Sequence, residues 1–274
     1  MRNREYVHCP RFKQMLLRMP IIKKIALHFN LAPCKPLICK GPGFDICVRP
    51  PKNSHVGRDL YFYGIWEKEM TSIVKSKVQN GWNILDIGAD VGYYSLLFAS
   101  KCGEQGAVAA FDPDPEPWPI LNYNIKMFPL SNISAFHLAL SDHDGHGMMK
   151  VGGRGQLFPD QEGKEDDTST VEMTTLDKFW PKLNWDHLDL VKIDTEGAEM
   201  SILLGMENII KKYHPHLLIE VHPLKLKKIF NSSAEKLFEY ITEEFPYKLT
   251  PVDSKTLDIP SKGNITVWAD WVEE

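Results

Sequence analysis

The sequence contains no apolar run near the ~20 residues that a helix needs to span a bilayer. Its start includes Arg2, Arg4 and Pro10 instead of an apolar segment, so we expect no secretory signal peptide. Cysteine is scarce, and the five residues are odd in number and irregularly spaced: Cys9, Cys34, Cys39, Cys47 and Cys102. Such a set matches neither a disulfide framework nor a zinc site. We therefore expect free thiols in a reducing compartment and a soluble, cytoplasmic protein.

A surplus of basic residues is also missing, since 32 Lys and Arg residues stand against 36 Asp and Glu residues, a net charge of −4. Domains that bind nucleic acids usually carry a basic surplus. The N-P-P-Y-type motif of amide methylation is absent as well. We therefore expect no nucleic-acid partner. The sequence gives no signal for an oligomeric state.

Residues 11–30 combine apolar and basic side chains at helical spacing. The apolar positions are Met15, Leu16, Met19, Ile22, Ile25, Ala26 and Phe29. This pattern predicts a basic amphipathic helix that Pro20 kinks or splits. Two interpretations are open: the apolar stripe packs on the main domain, or the helix makes a peripheral contact with an anionic membrane surface.

The remaining pattern predicts two parts, an N-terminal cap of helices and short strands at 1–80 and a larger domain at 81–274. The cap holds a strand-like segment at 44–48 and a helical one at 67–78. Apolar strand-like runs follow at 84–87, 107–111, 133–138, 188–193 and 217–221. Helical patterns occupy 93–100, 116–128, 198–212 and 234–245. This alternation predicts an α/β fold with a doubly wound, mostly parallel sheet covered by helices on both faces.

Two segments depart from the alternation. Residues 145–175 contain glycines at 152–155 and a charged run at 162–167, which predicts a loop or a small strand pair. A solvated loop and a lid over the substrate are both open interpretations. Segments 247–250 and 265–269 predict a closing hairpin that adds an antiparallel edge strand and completes seven strands.

The segment from Asp86 to Tyr93 reads as the end of a strand, a glycine turn and the start of a helix. Gly88 and Gly92 allow a sharp turn and a close ligand approach, and the first amides of the helix attract an anionic group. Dinucleotide enzymes use G-x-G-x-x-G here, whereas this turn is G-x-x-x-G and carries Asp90. Two negative charges, Asp86 and Asp90, disfavour a pyrophosphate and suit the ammonium and sulfonium of S-adenosyl-L-methionine.

Acidic residues follow the next two strands. Asp112 ends the second strand, where an acid accepts hydrogen bonds from a ribose diol, although a turn-capping role with Pro113 also fits. Asp142 follows the third strand as an acceptor for the adenine amino group, with Leu140 against the ring, and a turn-forming role is equally open.

With the segment Lys192–Glu199, read as K-I-D-T-E-G-A-E, the chain resembles the FkbM family of methyltransferases. Further matching elements are Asp86–Gly92, Asp112-Pro113, Ala139–Asp142, Thr175–Asp177, Ile219–His222 and Tyr63–Glu67. The resemblance spans roughly residues 60–225 and departs from the family at Asp90, usually asparagine, and at Asp112, usually glutamate. It implies a Rossmann-like class I fold, binding of S-adenosylmethionine, and methylation of a hydroxyl on a sugar, glycan or other natural product. Glu67 and Tyr93 join the expected cofactor contacts, as does Asp194.

Four residues are candidates for catalysis: Asp194, Glu196, Glu220 and His222. They follow the fourth and fifth strands, whose carboxyl ends meet at one edge if the strands are adjacent. One hypothesis has His222 or Asp194 remove or orient the acceptor proton. A second has Asp194, Glu220 and His222 hold a divalent metal ion, and a third gives them structural roles only. Lys192 is expected to point away from the neighbours of Asp194, and the dipole of the following helix accounts for Glu199.

Two other functions compete with methyl transfer. A nicotinamide-dependent oxidoreductase requires G-x-G-x-x-G and no acid in the turn, and the sequence has neither feature. A non-catalytic module with the same fold predicts loss of acids at the strand ends, yet Asp86, Asp112, Asp194 and Glu220 are present. Methyl transfer is the function we predict.

Overall fold

A computed structural model describes residues 7–8, 33–150, 157–159, 168–254, 256–260 and 263–272. The helix predicted within 11–30, the glycines at 152–155 and the charged run at 162–167 lie outside these ranges. Contact with a membrane through residues 11–30 therefore stays a prediction. Within the described ranges, no helix has both the length and the apolar character needed to cross a membrane.

The cap starts with a three-stranded sheet of β1 (Val7–His8), β2 (Leu37–Lys40) and β3 (Asp45–Val48). Helix α1 (His55–Tyr63) begins where the Ser54 hydroxyl accepts a hydrogen bond from the backbone of Gly57, and α2 (Lys68–Lys77) confirms the predicted helix. Apolar cap residues share one hydrophobic cluster with residues of the central sheet and the helix behind it. The cap thus covers one face of the sheet, and the boundary at residue 80 stays a prediction.

The first half of the core alternates as predicted: β4 (Asn83–Ile87), α3 (Tyr93–Cys102), β5 (Ala107–Phe111), α4 (Trp118–Met127) and β6 (Ile133–Phe136). Every residue of β4 is buried, as expected for a central strand with helices on both faces. The strand predicted at 133–138 is too long, because the chain leaves the sheet after Phe136 and joins a second one.

The segment predicted as a loop or strand pair belongs to a separate four-stranded sheet. Its strands are β7 (Ala139–Leu140), β8 (Gly145–Lys150), β9 (Leu157–Pro159) and β10 (Thr168–Thr174), paired in the order β7–β10–β8–β9. Val171 and Met173 alternate with exposed positions on β10 and pack with Ala139 and Met149 in a small core. This insert sheet therefore holds its own shape beside the central sheet.

The second half of the core contains α5 (Leu176–Phe179), a 3₁₀ turn (Trp180–Lys182), β11 (Leu190–Ile193), α6 (Glu199–Leu204), α7 (Glu207–Tyr213), β12 (His216–Val221), α8 (Pro223–Ile229), α9 (Ala234–Glu243), β13 (Tyr247–Pro251) and β14 (Ile265–Trp271). The single helix predicted at 198–212 is wrong, because the chain breaks between α6 and α7 at Gly205. A Cβ atom on Gly205 would lie 1.9 Å from the carbonyl oxygen of Ser141. Packing of the insert against this turn therefore requires glycine.

The central sheet has the order β13–β14–β12–β11–β4–β5–β6, which confirms a doubly wound, mostly parallel, Rossmann-like sheet of seven strands. The antiparallel strand is β14, which pairs with β12 on one side and β13 on the other. The prediction of an antiparallel edge strand is therefore wrong, since β13 forms the edge. Strands β4 and β11 are parallel neighbours, but β5 and β6 follow on one side of this pair and β12 on the other, and the switch in strand order opens a crevice at the carboxyl ends of the strands.

Candidate active site

A cavity of about 830 Å³ opens at this switch point. Such a volume is in the range of sites for small molecules and cofactors. Its wall combines the turn after β4, the carboxyl ends of β5, β11 and β12, the cap, and the start of the insert sheet. Among the residues predicted to bind cofactor or substrate, those that line it are Glu67, Gly88, Asp90, Tyr93, Asp112, Asp194, Glu196, Glu220 and His222.

The glycine turn approaches the end of β11 very closely. Gly88 has a φ of 81°, and a Cβ atom there would lie 1.8 Å from the carbonyl oxygen of Asp194. Gly92, with a φ of 88°, starts α3 against the side chain of Leu121. Both positions lie in the left-handed region that glycine adopts without strain. Gly88 therefore sets the contact between the turn and the candidate catalytic strand, and Gly92 fixes the turn from behind the cavity.

Asp86 lies beneath the cavity wall and is fully buried. It accepts a hydrogen bond from the hydroxyl of Ser95, and its second oxygen lies 3.3 Å from the Nζ of Lys192. Asp142 lies outside the cavity, where it is half-exposed and contacts the ring of His143. The structure therefore does not bring these two predicted cofactor ligands to the cavity surface.

The prediction that Lys192 points away from the neighbours of Asp194 is wrong. Lys192 is almost fully buried, and its Nζ lies 3.5 Å from Asp194 and 3.3 Å from the carbonyl oxygen of Gly88, to which it donates a hydrogen bond. The expectation failed because Lys192 stands opposite Asp86 in the sheet register and its long chain extends to the carboxyl edge. Burial disfavours the ammonium, but the carboxylates of Asp86 and Asp194 outweigh it and raise the pKa of Lys192. A charged lysine therefore lies under the junction of turn and strand.

Asp112 accepts two backbone hydrogen bonds, from Asp90 at 2.6 Å and from Asp114 at 2.8 Å. Burial, together with the charge of Asp90, raises the pKa of Asp112 to about 7. The cap adds a contact that the sequence did not indicate: Arg49 donates to Asp90 at 2.9 Å and lies 3.3 Å from Glu116. An isolated arginine in a proline-rich segment carries no signal of this role. The cap thus reaches directly to the cofactor turn.

Glu67 and Tyr93 connect the cap to α3 at the cavity. Glu67 accepts a hydrogen bond of 2.8 Å from the hydroxyl of Tyr94, and its backbone has a φ of 40°. Burial and the neighbouring charge of Asp194 raise the pKa of Glu67 to about 7. The hydroxyl of Tyr93 lies 3.0 Å from that of Thr71. Both residues line the cavity, with their polar atoms bonded inside the protein.

The four candidate catalytic residues converge. The Nε2 atom of His222 lies 3.3 Å from Glu196, 3.8 Å from Asp194 and 4.0 Å from Glu220. Strands β11 and β12 are neighbours, so the carboxyl-terminal residues of both reach the same end of the cavity. We call Asp194, Glu196, Glu220 and His222 the acid–histidine cluster.

The other nitrogen of His222 is held by a residue to which the sequence gave a different role. Nδ1 lies 2.7 Å from an oxygen of Glu199, which also accepts a hydrogen bond from the backbone of Gly197. Glu199 is fully buried. Attraction to the helix dipole explains an exposed acid in a first turn, but not a buried carboxylate bound to an imidazole. Glu199 therefore orients His222.

Two further residues hold the carboxylates of the cluster. The ammonium of Lys225 forms a short ion pair with Glu196, whose backbone has a φ of 58°. The amide of Asn264, which precedes β14, donates to Glu220 at 2.7 Å. The closing hairpin thus contributes one contact to the cluster.

The cluster concentrates negative charge in a partly buried place. Burial and the carboxylates of Asp194 and Glu67 raise the pKa of Glu220. Burial alone disfavours a charged His222, but its hydrogen bond to Glu199 and the surrounding carboxylates raise the pKa of His222. Cations are therefore favoured at this end of the cavity.

Comparison with known proteins shows the family to which the sequence is similar. Residues 86–249, more than half of the chain, match the family model described as the methyltransferase FkbM domain. A methyltransferase named sdnD from Sordaria araneosa is 25% identical over 156 residues, which cover 45% of this chain and 60% of the relative. The hexuronic acid methyltransferase AglP from Haloferax volcanii is 21% identical over 159 residues, which cover 57% of this chain and 62% of the relative.

A solved FkbM methyltransferase from Methylobacillus flagellatus superposes with a TM-score of 0.48 at 17% identity, over 69% of this chain and 43% of that one. The matches span less than two thirds of the curated relatives and of this solved protein. The family match covers the glycine turn, the end of β5 and the whole acid–histidine cluster. The chain therefore belongs to the family of methyltransferase FkbM domains.

Proposed function

We propose that this chain transfers a methyl group from S-adenosylmethionine to a hydroxyl of a small acceptor, such as a sugar, a glycan or another natural product. One observation carries the proposal. A single cavity is lined in one part by the glycine turn and Asp112 and in the adjoining part by the acid–histidine cluster. A methyl donor and a hydroxyl acceptor require two such neighbouring subsites.

The first part of the cavity fits the cofactor. Phe111, Leu140 and Ile202 provide apolar wall for an adenine ring, and Asp112 follows β5 as an acceptor for ribose hydroxyls. The turn from Gly88 to Asp90 supplies backbone and carboxylate groups for the amino-acid part. When bound, the cofactor supplies a methyl group on a positively charged sulfur. The carboxylates of the cavity favour that charge over the pyrophosphate of a dinucleotide.

The second part fits an acceptor hydroxyl. A hydroxyl is a weak nucleophile and must be oriented and relieved of its proton. In the transfer, the hydroxyl oxygen forms the new bond to the methyl carbon, the carbon–sulfur bond breaks, and sulfur keeps the electron pair. The proton goes to the acid–histidine cluster and then to water. These residues align the oxygen for an in-line displacement, which supplies much of the rate.

One relative and the cavity lining together support a proposal about the acceptor. The Haloferax volcanii relative is named a hexuronic acid methyltransferase. Lys52, His55 and Lys225 are basic residues in the cavity lining and suit an acceptor that carries a carboxylate. We therefore place an acidic sugar first among the acceptors to be tested.

Two experiments test the proposal. Calorimetry measures binding of S-adenosylhomocysteine and of NAD, and an activity assay then measures transfer of a radiolabelled methyl group to a panel of uronic and neutral glycosides. We expect binding of S-adenosylhomocysteine, no binding of NAD, and label in a methyl ether of an acceptor. Asp112→Ala should weaken the binding of S-adenosylhomocysteine, whereas Asp144→Ala, on the exposed surface beside Lys178, should leave it unchanged. Binding of NAD alone would replace methyl transfer with the oxidoreductase alternative.

A further inference from the structure

The acid–histidine cluster contains three ligand atoms of a kind that metal ions bind, close enough together that they could hold one ion. One oxygen each of Asp194 and Glu220 and one nitrogen of His222 lie within 4.8 Å of one another. Divalent ions hold nitrogen and oxygen ligands at about 2.0–2.2 Å, so two ligands of one ion lie up to about 4.4 Å apart. The distances from the Nε2 of His222 to Asp194 and Glu220, 3.8 and 4.0 Å, fall within that limit.

His222 is oriented as a metal ligand is. Its Nδ1 atom faces the buried carboxylate of Glu199 at 2.7 Å, which fixes a proton on that nitrogen. The Nε2 atom faces the three carboxylates of Asp194, Glu196 and Glu220. Metal-binding histidines almost always donate their other nitrogen to a carboxylate or carbonyl in this way.

Two lysines contact the carboxylates of the cluster. Lys192 is shared between Asp194 and the fully buried Asp86. Lys225 pairs with Glu196, and Glu220 has the neutral amide of Asn264. A divalent ion between β11 and β12 would add positive charge beside Asp194 and Glu220.

We propose that Asp194, Glu220 and His222 bind a divalent cation of the Mn²⁺ or Mg²⁺ type, which holds the acceptor hydroxyl for methyl transfer. This inference rests on the proposed function. Three protein ligands leave coordination positions open for an acceptor, and an uronic acid offers a hydroxyl and a carboxylate as neighbouring oxygen ligands. The cation makes the bound hydroxyl more acidic. The proton passes to Glu196, which lines the cavity, and from there to water.

The test starts from the full chain after treatment with a chelator. Mn²⁺ is titrated into this protein in the presence of S-adenosylhomocysteine, and electron paramagnetic resonance measures its binding. We expect one tightly bound Mn²⁺ per chain. Glu220→Gln keeps the size of the side chain and should lower the affinity for Mn²⁺ at least tenfold. Glu172→Gln, an exposed acid on β10, is the matched control and should bind as the unaltered chain does. Glu199→Gln removes the charge behind His222 and should weaken Mn²⁺ about tenfold.

Two further measurements separate the possible failures. Labelled methyl transfer should be lost after chelation and restored by Mn²⁺, and S-adenosylhomocysteine affinity in Glu220→Gln should stay within about twofold of the unaltered chain. Equal Mn²⁺ binding by Glu220→Gln and the unaltered chain, or turnover that chelation leaves unchanged, would overturn the cation and favour His222 as a base. Absence of S-adenosylhomocysteine binding alongside normal Mn²⁺ binding would instead contradict the proposed function.

Discussion

Arg49 in the cap donates a hydrogen bond of 2.9 Å to Asp90 in the glycine turn, 41 positions later in the chain. The same guanidinium lies 3.3 Å from Glu116, before α4. One cap residue therefore joins the turn and the following loop, and both line the cavity. The cap contributes to the cavity that we propose as the cofactor site as well as to the core.

Arg49→Ala should weaken S-adenosylhomocysteine about three- to tenfold and lower the free energy of unfolding by about 1–2 kcal/mol, because Asp90 loses its partner at a partly exposed site. Calorimetry and urea unfolding measure the two effects. Lys40→Ala removes an exposed ion pair with Asp45 in the same cap and serves as the control. Equal behaviour of the two variants would show that Arg49 acts only as a surface charge.

Gly88 and Gly81 form a matched pair, since both have a positive φ, 81° and 86°. A Cβ on Gly88 would meet the backbone of Asp194 at 1.8 Å, whereas one on Gly81 meets nothing within 4 Å. Gly81→Ala should cost about 1 kcal/mol from backbone strain alone. Gly88→Ala should cost about 3 kcal/mol or more and abolish binding of S-adenosylhomocysteine. Urea unfolding and calorimetry measure both, and similar costs would contradict the close contact of turn and strand.

Asp112 should make cofactor affinity depend on pH. Its pKa of about 7 means that the free protein carries a proton on this acid in mildly acidic solution. Ribose hydroxyls donate to the ionised form, so binding favours ionisation and lowers the pKa. Affinity for S-adenosylhomocysteine should therefore fall by up to about tenfold per pH unit as the pH drops below 7, and level off above it. Asp112→Asn should bind weakly with a flatter profile in calorimetry. An unchanged slope would assign the effect to another group.

Lys192→Met should lower the free energy of unfolding by about 3–5 kcal/mol, because Asp86 then carries an uncompensated charge in a fully buried place. Adding Asp86→Asn should restore part of that loss, and urea unfolding of both single variants and the double variant measures the coupling. Additive effects of the two substitutions would mean that the ion pair contributes no stability.

Much of the fold could be predicted because buried parallel strands have a simple pattern. The apolar run at 84–87 and the glycine turn after it required no long-range information. The acid–histidine cluster could also be predicted from the sequence, since Asp194 and His222 each follow an apolar strand. Adjacent parallel strands bring such positions to one edge, and the sheet order confirms that β11 and β12 are neighbours.

Other features depend on contacts between distant parts of the chain. The break at Gly205 arises from packing against Ser141, which no local propensity reports. An acid in the first turn of a helix is common, and the helix dipole is enough to explain Glu199 there. The sequence therefore offers no reason to expect its contact with His222. Lys192 on a buried strand was misjudged because alternation gives the direction of Cβ but not the path of a long side chain to its partners.

The insert sheet contributes to the cavity wall from outside the central sheet. Met149 belongs to the small core of this sheet and also lines the cavity. The strands that carry the glycine turn, Asp112 and the acid–histidine cluster belong to a different sheet. Exchange of Met149 on β8 therefore alters the cavity wall while the strands of the central sheet keep their positions. A protein engineer can vary this wall from a sheet that is built separately from the one carrying the candidate catalytic residues.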